Sequence, residues 1–347
     1  MTLKQQLIDH IRDNGPMTVA EFMAACLYDP AHGYYATRPA LGGAGADFIT
    51  APEASQMFGE LLGLWCAHEW EALAKPAFNL IELGPGRGVL MQDALRASER
   101  IAGMHEAMHL TLVEMSAPLR DEQAKRVPEA EWALRLEDAP PGPSLIIANE
   151  FLDCLPIRQF VRGEDGWHEK LVGLDEADQL AFGLSAALPA PDSEDEIGAV
   201  REVAPALESL IYEIERRLHD APGRALLIDY GYVRPEGADT LQALKAHAHV
   251  DPLEAPGAAD LTAHVDFARV AHLAQQAGLA VHGPVTQASF LRGLGVEFRA
   301  EALARANPEH AERLARELRR LTHPEEMGAL FKVICLSSPK LPPPAGF

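Results

Sequence analysis

What this chain has little of narrows its chemistry. Its four cysteines, Cys26, Cys66, Cys154 and Cys335, are scattered without paired spacing. That pattern argues against a disulfide framework or a metal site and for reduced, buried thiols in a cytosol-like compartment. No apolar run reaches the ~18 residues that a membrane span needs. The opening Met1-Thr2-Leu3-Lys4-Gln5-Gln6 lacks the apolar core of a signal peptide and the Arg/Ser richness of a transit peptide, so the chain reads as mature and soluble. Basic residues are scarce as well. Lys and Arg number 30 against 51 Asp and Glu, a net charge of −21. Such a balance argues against nucleic acid as partner, because phosphate binding relies on Lys and Arg. It would steer a basic protein or peptide favourably, although acidity also serves simply to keep a protein dispersed.

What is present centres on Asn79-Leu80-Ile81-Glu82-Leu83-Gly84-Pro85-Gly86-Arg87-Gly88, an apolar run that breaks into three alternate glycines. This pattern predicts a strand entering a ligand loop, since alternate glycines admit unusual φ values and let a ligand approach bare backbone. Val89 to Ala97 then carries no helix breaker. Strand, glycine turn and helix start make a nucleotide-type pocket at the carboxyl end of a parallel sheet. A dinucleotide fingerprint would place its third glycine at position 89, which is valine, and a phosphate loop would end in Gly-Lys-Ser/Thr, whereas Gly88 precedes Val89 and Leu90. An acidic residue, Glu82, ahead of Gly84, Gly86 and Gly88 suits a ligand with an ammonium group and no phosphate, such as S-adenosylmethionine. The strand Leu110–Val113 ends in Glu114, thirty positions beyond Gly84. A carboxylate there can accept both ribose hydroxyls, or it is only a solvated strand end.

Hydrophobic content of 48% over 347 residues supplies a core for one large domain with insertions or for two domains. Leu3, Leu7, Ile8 and Ile11 follow helical spacing up to Asn14-Gly15-Pro16. Thr18-Val19-Ala20-Glu21 is a capping-box pattern for a second helix, and Thr50-Ala51-Pro52-Glu53 for a third whose apolar face is Phe58, Leu61, Leu62 and Trp65. Between them lies a glycine-rich irregular segment that includes Asp47. Strand candidates at 79–83, 110–114, 144–149 and 225–230 alternate with helices, which predicts an α/β, doubly wound, mostly parallel sheet. The expected organisation is an N-terminal helical region over 1–76, a core over 77–154 and 205–337, a small β insertion over 155–204 with an acidic loop at 189–196, and a mobile proline-rich tail over 338–347.

Ser144–Ala148 is a buried-type strand that delivers Asn149-Glu150-Phe151-Leu152-Asp153-Cys154-Leu155-Pro156 to the same sheet edge, so two carboxylates arrive beside the glycine loop. Here the chain resembles the MidA-like methyltransferases. The resemblance is carried by Gly45–Glu53 with Phe58-Gly59-Glu60, by Glu82–Gly88, Asn149–Pro156 and Ile228–Tyr232, and further on by Asp260–Phe267 and Met327–Val333. Two departures are Ala46, where the family has glycine before Asp-Phe, and Cys154, where alanine is common. The resemblance implies a seven-stranded class I methyltransferase sheet and S-adenosylmethionine as cofactor. It further implies methylation of an arginine on a subunit of respiratory complex I during its assembly, in the bacterial cytoplasm or, for a processed eukaryotic form, in the mitochondrial matrix. Metal, nucleic acid and a membrane span play no part in it.

Guanidinium is planar, always charged, and pairs with carboxylates through two parallel hydrogen bonds. Glu150 and Asp153 are therefore the leading catalytic candidates, with Asp153 alternatively a cap for the turn after the strand. His264 and Asp266 lie in a loop that the resemblance puts near the substrate, where a lone histidine is otherwise structural. For the cofactor, Asn149 joins Glu82, the glycines and Glu114. Asp138, in Glu137-Asp138, follows a candidate third strand where related methyltransferases contact adenine, and Asp47 and Thr50 would close the site from outside. Asp229 and Tyr230 end a core strand at the cleft edge. A protein that keeps the fold only to bind a client is the alternative in a different class, and a nicotinamide dehydrogenase is disfavoured by Val89.

Overall fold

Strands of near-continuous apolar character set the frame. In the computed structural model, which describes residues 1–37, 49–189, 195–234 and 237–347, they are β1 (Phe78–Leu83), β2 (Met108–Val113), β3 (Glu131–Ala133), β4 (Ser144–Asn149), β5 (Gly223–Tyr232), β6 (Ala280–Thr286) and β7 (Phe331–Ser337). Every residue of β1 and β4 is buried, as expected of strands covered by helices on both faces. The sheet order is β6-β7-β5-β4-β1-β2-β3. From β5 through β3 the pairs are parallel, while β7 runs antiparallel to both β5 and β6. A two-residue strand, Val265–Asp266, adds to the end of β5.

Helices pack where small residues let them. Gly59 and Gly63 lie on the helix Gln56–Ala72 against the helix Val89–Ser98, and a Cβ on Gly63 would sit 2.2 Å from the Ala94 carbonyl oxygen. That close approach seats the helix that leads out of the glycine loop. Residues 158–203 form strands Arg158–Arg162, Trp167–Leu174, Leu180–Leu184 and Val200–Val203, and the pair Met17–Thr18 joins them by pairing with Val172 and Leu171. A separate apolar cluster ties Leu7, Phe22 and Leu27 to Val172, Leu180 and Leu261. No helix among the described residues is long and apolar enough to cross a membrane.

Two local expectations are corrected. The helix expected after Thr50 is a single turn, Ala51–Ala54, whose Thr50 side chain makes no capping bond. The long helix starts afresh at Ser55, whose hydroxyl oxygen accepts from Met57 N. The proline-rich segment expected to be mobile is instead pinned to the core. Trp65 Nε1 donates to the Ala345 carbonyl at 3.2 Å, Ala345 N donates to Glu69 at 2.9 Å, and Arg224 donates to the Pro342 carbonyl at 2.6 Å. Glu69 and Arg224 are fully buried and paired at 2.7 Å. Covering that pair keeps it from water, which is the physical reason for the segment's order. The acidic loop at 189–196 falls largely outside the described residues.

Candidate active site

The carboxyl ends of β1, β2, β4 and β5 face one cavity of about 590 Å³. One end is the glycine loop. Gly84, Gly86 and Gly88 all take positive φ, 62°, 51° and 78°, a region other residues enter only with strain. A Cβ on Gly84 would meet the Phe151 ring at 2.8 Å, whereas one on Gly86 would meet nothing within 4 Å. Gly86 thus offers bare backbone to open space. Beneath the loop, the fully buried Gln123 donates from Nε2 to the Gly86 carbonyl at 2.7 Å and to Glu114 Oε2 at 3.3 Å, while its Oε1 accepts from Trp132 at 2.7 Å. Glu114 Oε1 accepts from Ser116 N at 2.7 Å. Burial raises the pKa of Glu114 and, with Glu114's charge adding to it, pushes Glu82 up to about 8.

At the other end, β4 leads into Glu150, a non-glycine residue at φ 50°. Strain of this kind persists only where the surroundings enforce it. Here they do so through Asp229, on β5 and wholly buried. Its Oδ2 accepts from the backbone N–H groups of Phe151, Leu152 and Asp153 at 3.1, 2.8 and 3.1 Å, and its Oδ1 from Tyr230 N at 2.9 Å. Glu150 Oε1 accepts from Ala51 N at 2.9 Å and Asn149 Nδ2 at 3.1 Å. Burial pushes Glu150 up to about 7, with Asp153 adding to the rise, and Asp153 up to about 6, held back by the Tyr230 hydroxyl. Asp229 is raised by burial and by repulsion from both. His264 packs edge-on against Tyr230, ring centres 5.4 Å apart, and burial, with Lys332 adding, lowers its pKa.

Residues 61–285, most of the chain and both ends of this cavity, match the family described as putative S-adenosyl-L-methionine-dependent methyltransferases. The chain belongs to that family. It is 36% identical to the mitochondrial protein arginine methyltransferase NDUFAF7 of Danio rerio, covering 95% of this chain and 86% of that one. It is 37% identical to the Homo sapiens protein of the same name, covering 96% and 82%. A crystal structure from Burkholderia thailandensis, described as a COG1565 superfamily member bound to S-adenosyl-homocysteine, superimposes with a TM-score of 0.86 at 26% identity, covering 99% of this chain and 93% of that one.

The cavity of this methyltransferase fits S-adenosylmethionine on its own chemistry. Glu82 Oε2 and Asn149 Oδ1 are buried acceptors with no hydrogen-bond partner among the described residues, and both residues line the cavity. A buried acceptor left unmatched is costly, so a donor-bearing ligand is called for. Bare backbone at Gly86 admits a close ligand beside these acceptors.

The structure brings together on this cavity Glu82, Gly84, Gly86, Glu114, Asn149, Thr50, Glu150, Asp153 and His264, with Gly88 fixing the start of the helix behind the loop. Asp138 is corrected. It ends a 3₁₀ turn, Leu136–Asp138, and is turned toward Arg135 at 3.5 Å, so its neighbour Glu137 lines the cavity instead. Asp266 does not reach the site either, because it caps the helix Phe267–Gln276 through Arg269 N. Asp47 and Ala46 lie outside the described residues. Sequence reasoning missed Gln123, which no motif marks, and an Arg87–Glu53 ion pair at 3.4 Å on the cavity wall.

Proposed function

We propose that this methyltransferase transfers the methyl group of S-adenosylmethionine to an arginine side chain of a protein, with Glu150 and Asp153 as the acceptor-binding carboxylates. One observation carries the proposal. Both carboxylates line the cavity, Asp153 buried and Glu150 half-buried, desolvation raises the pKa of both, and neither makes an ion pair among the described residues. Desolvated, unpaired carboxylates call for a cation, and relatives named protein arginine methyltransferase supply its class.

The bound cofactor supplies a methyl group on a positively charged sulfur. Transfer is an in-line displacement, so positioning is most of the task. Glu150 and Asp153 accept guanidinium N–H bonds, fix the plane of the group and draw its positive charge toward themselves, which leaves the far nitrogen the better nucleophile. The attacking nitrogen must also shed a proton. The half-buried carboxylate of Glu150, its pKa pushed up to about 7, is matched to holding it near neutral pH. Glu82 would hold the cofactor ammonium and Glu114 its ribose hydroxyls.

For the client, the resemblance to a complex I assembly family supports a subunit of that complex. The named relatives are mitochondrial, which supports the matrix for a eukaryotic source. The decisive experiment incubates the protein with labelled S-adenosylmethionine and extract of cells that lack it, then locates the label by mass spectrometry. Label on arginine of a complex I subunit is the expected result. No label, despite cofactor binding, would favour a client-binding protein without catalysis.

A further inference from the structure

The acceptor end holds a third carboxylate, and we infer that Asp260, held by Tyr35 and facing the same cavity as Asp153, is a further guanidinium-binding residue whose flanking wall is a stacked tyrosine pair. This inference rests on the proposed arginine acceptor. Asp260 opens the short strand Asp260–Thr262, is 3% exposed and lines the cavity. Tyr35 Oη donates to its Oδ1 at 3.0 Å.

A closed ring of contacts sets Asp260 opposite Asp153. Tyr35 stacks on Tyr28, ring centres 5.8 Å apart and planes 27° off parallel. Tyr28 Oη donates to the Cys154 carbonyl at 2.8 Å, and Cys154 follows Asp153 in the chain. On the far side, Ala263 N donates to the Asp153 carbonyl at 2.9 Å, three residues along from Asp260. Tyr28, Tyr35, Asp153, Cys154 and Asp260 all line the one cavity, and burial first, then the charges of Asp153 and Asp260, raises Tyr28, Tyr35 and Cys154.

The chemistry of that space is selective. Both tyrosine hydroxyls donate to protein acceptors, so each ring has its polar tip already engaged and presents apolar surface. A guanidinium carries N–H donors on separate edges of one plane and stacks on aromatic faces, so two carboxylates and a ring can engage it together. A compact ammonium has no such plane. The wall comes from the helix Val19–Tyr28 and the turn Tyr34–Thr37, which makes the N-terminal region part of the acceptor site.

The test uses the full chain, labelled S-adenosylmethionine and extract of cells lacking the protein. Asp260→Asn keeps an acceptor for Tyr35 and removes the charge. We expect methyl transfer to arginine to fall roughly 100-fold, the scale for losing one charged partner of a buried pair. The fall should appear mainly as a higher extract concentration for half-maximal rate, while S-adenosylhomocysteine affinity stays within about twofold of wild type. Unchanged transfer would overturn the role of Asp260 and leave the arginine acceptor standing. A matching loss of S-adenosylhomocysteine affinity would also overturn it, since Asp260 would then serve the cofactor end or the fold. Wild-type label on a residue other than arginine would overturn the acceptor itself, and this inference with it. If Asp260→Asn fails to fold, Tyr35→Phe carries the test: about fivefold slower transfer at unchanged S-adenosylhomocysteine affinity is expected, and wild-type transfer would refute it.

Discussion

The cofactor end and the acceptor end of the cavity are built in opposite ways. The first comes from one continuous stretch, Glu82 to Leu90, backed by the end of β2, and its shape is a matter of backbone: three positive φ values and a carbonyl held by Gln123. The second gathers side chains from distant stretches around residues 28–35, 150–154, 230 and 260–264. Its shape depends on bonds that side chains make to distant backbone and to one another, and on one strained residue. If the proposed roles hold, the difference predicts that the end around Glu150 can change without disturbing cofactor binding, and specificity would then be set there.

The sharpest attempt to separate the ends is Glu150→Gln. Glutamine can still accept from Ala51 N and Asn149, but it cannot pair with a guanidinium or take its proton. Transfer should fall by two or more orders of magnitude with S-adenosylmethionine affinity intact by calorimetry; loss of both together would mean that Glu150 serves the cofactor. Next in size is Gly86→Val. The site beside Gly86 is open on the protein side, so only backbone strain of about 1–3 kcal/mol should touch stability, while calorimetry should detect no cofactor binding. A folded variant with near-normal affinity would remove the glycine loop from the cofactor site. Glu114→Ala should weaken cofactor binding by ~1–3 kcal/mol and leave client affinity alone; an unchanged titration would make Glu114 a structural strand end.

The smallest effect concerns pH. Glu150 and Asp153 have folded pKa values of about 7 and about 6, above the unfolded 4.5 and 3.8. A raised carboxyl pKa means that the folded state holds the proton more tightly. The stability this lends is complete below about pH 4 and is lost as pH climbs through 6 to 7. The ligand-free protein should therefore melt a few degrees lower at pH 8 than at pH 5, and Glu150→Gln, which cannot titrate, should flatten that slope. An equal slope in the variant would show that Glu150 is ionised throughout.

Legibility in the sequence followed the same division. β1, β2, β4 and β5 and the glycine loop were readable because apolar runs and alternate glycines are local signals, and so was the delivery of Glu150 and Asp153 to the sheet edge. Gln123 was not, because its importance lies in what a helix presents to a loop 37 residues earlier in the chain. Tyr28 and Tyr35 look like packing residues until tertiary structure sets Asp260 and Cys154 against them. Where a pattern misled, a nearer competitor had won. Ser55 took over the helix start from Thr50, Arg135 claimed Asp138, and Asp266 was committed to a helix cap.

The two-residue pairing of Met17–Thr18 with Leu171–Val172 has a consequence for biosynthesis. The first two helices bury Leu7, Phe22 and Leu27 against Val172, Leu180 and Leu261, residues that leave the ribosome long after them. At roughly 5–20 residues per second, an oily N-terminal segment waits on the order of 10–50 s for the partners that cover it. During that interval it is a ready client for holding chaperones and a target for proteases. Substitutions that weaken this seam should lower the amount of protein made in the cell more than the rate of each molecule that completes it.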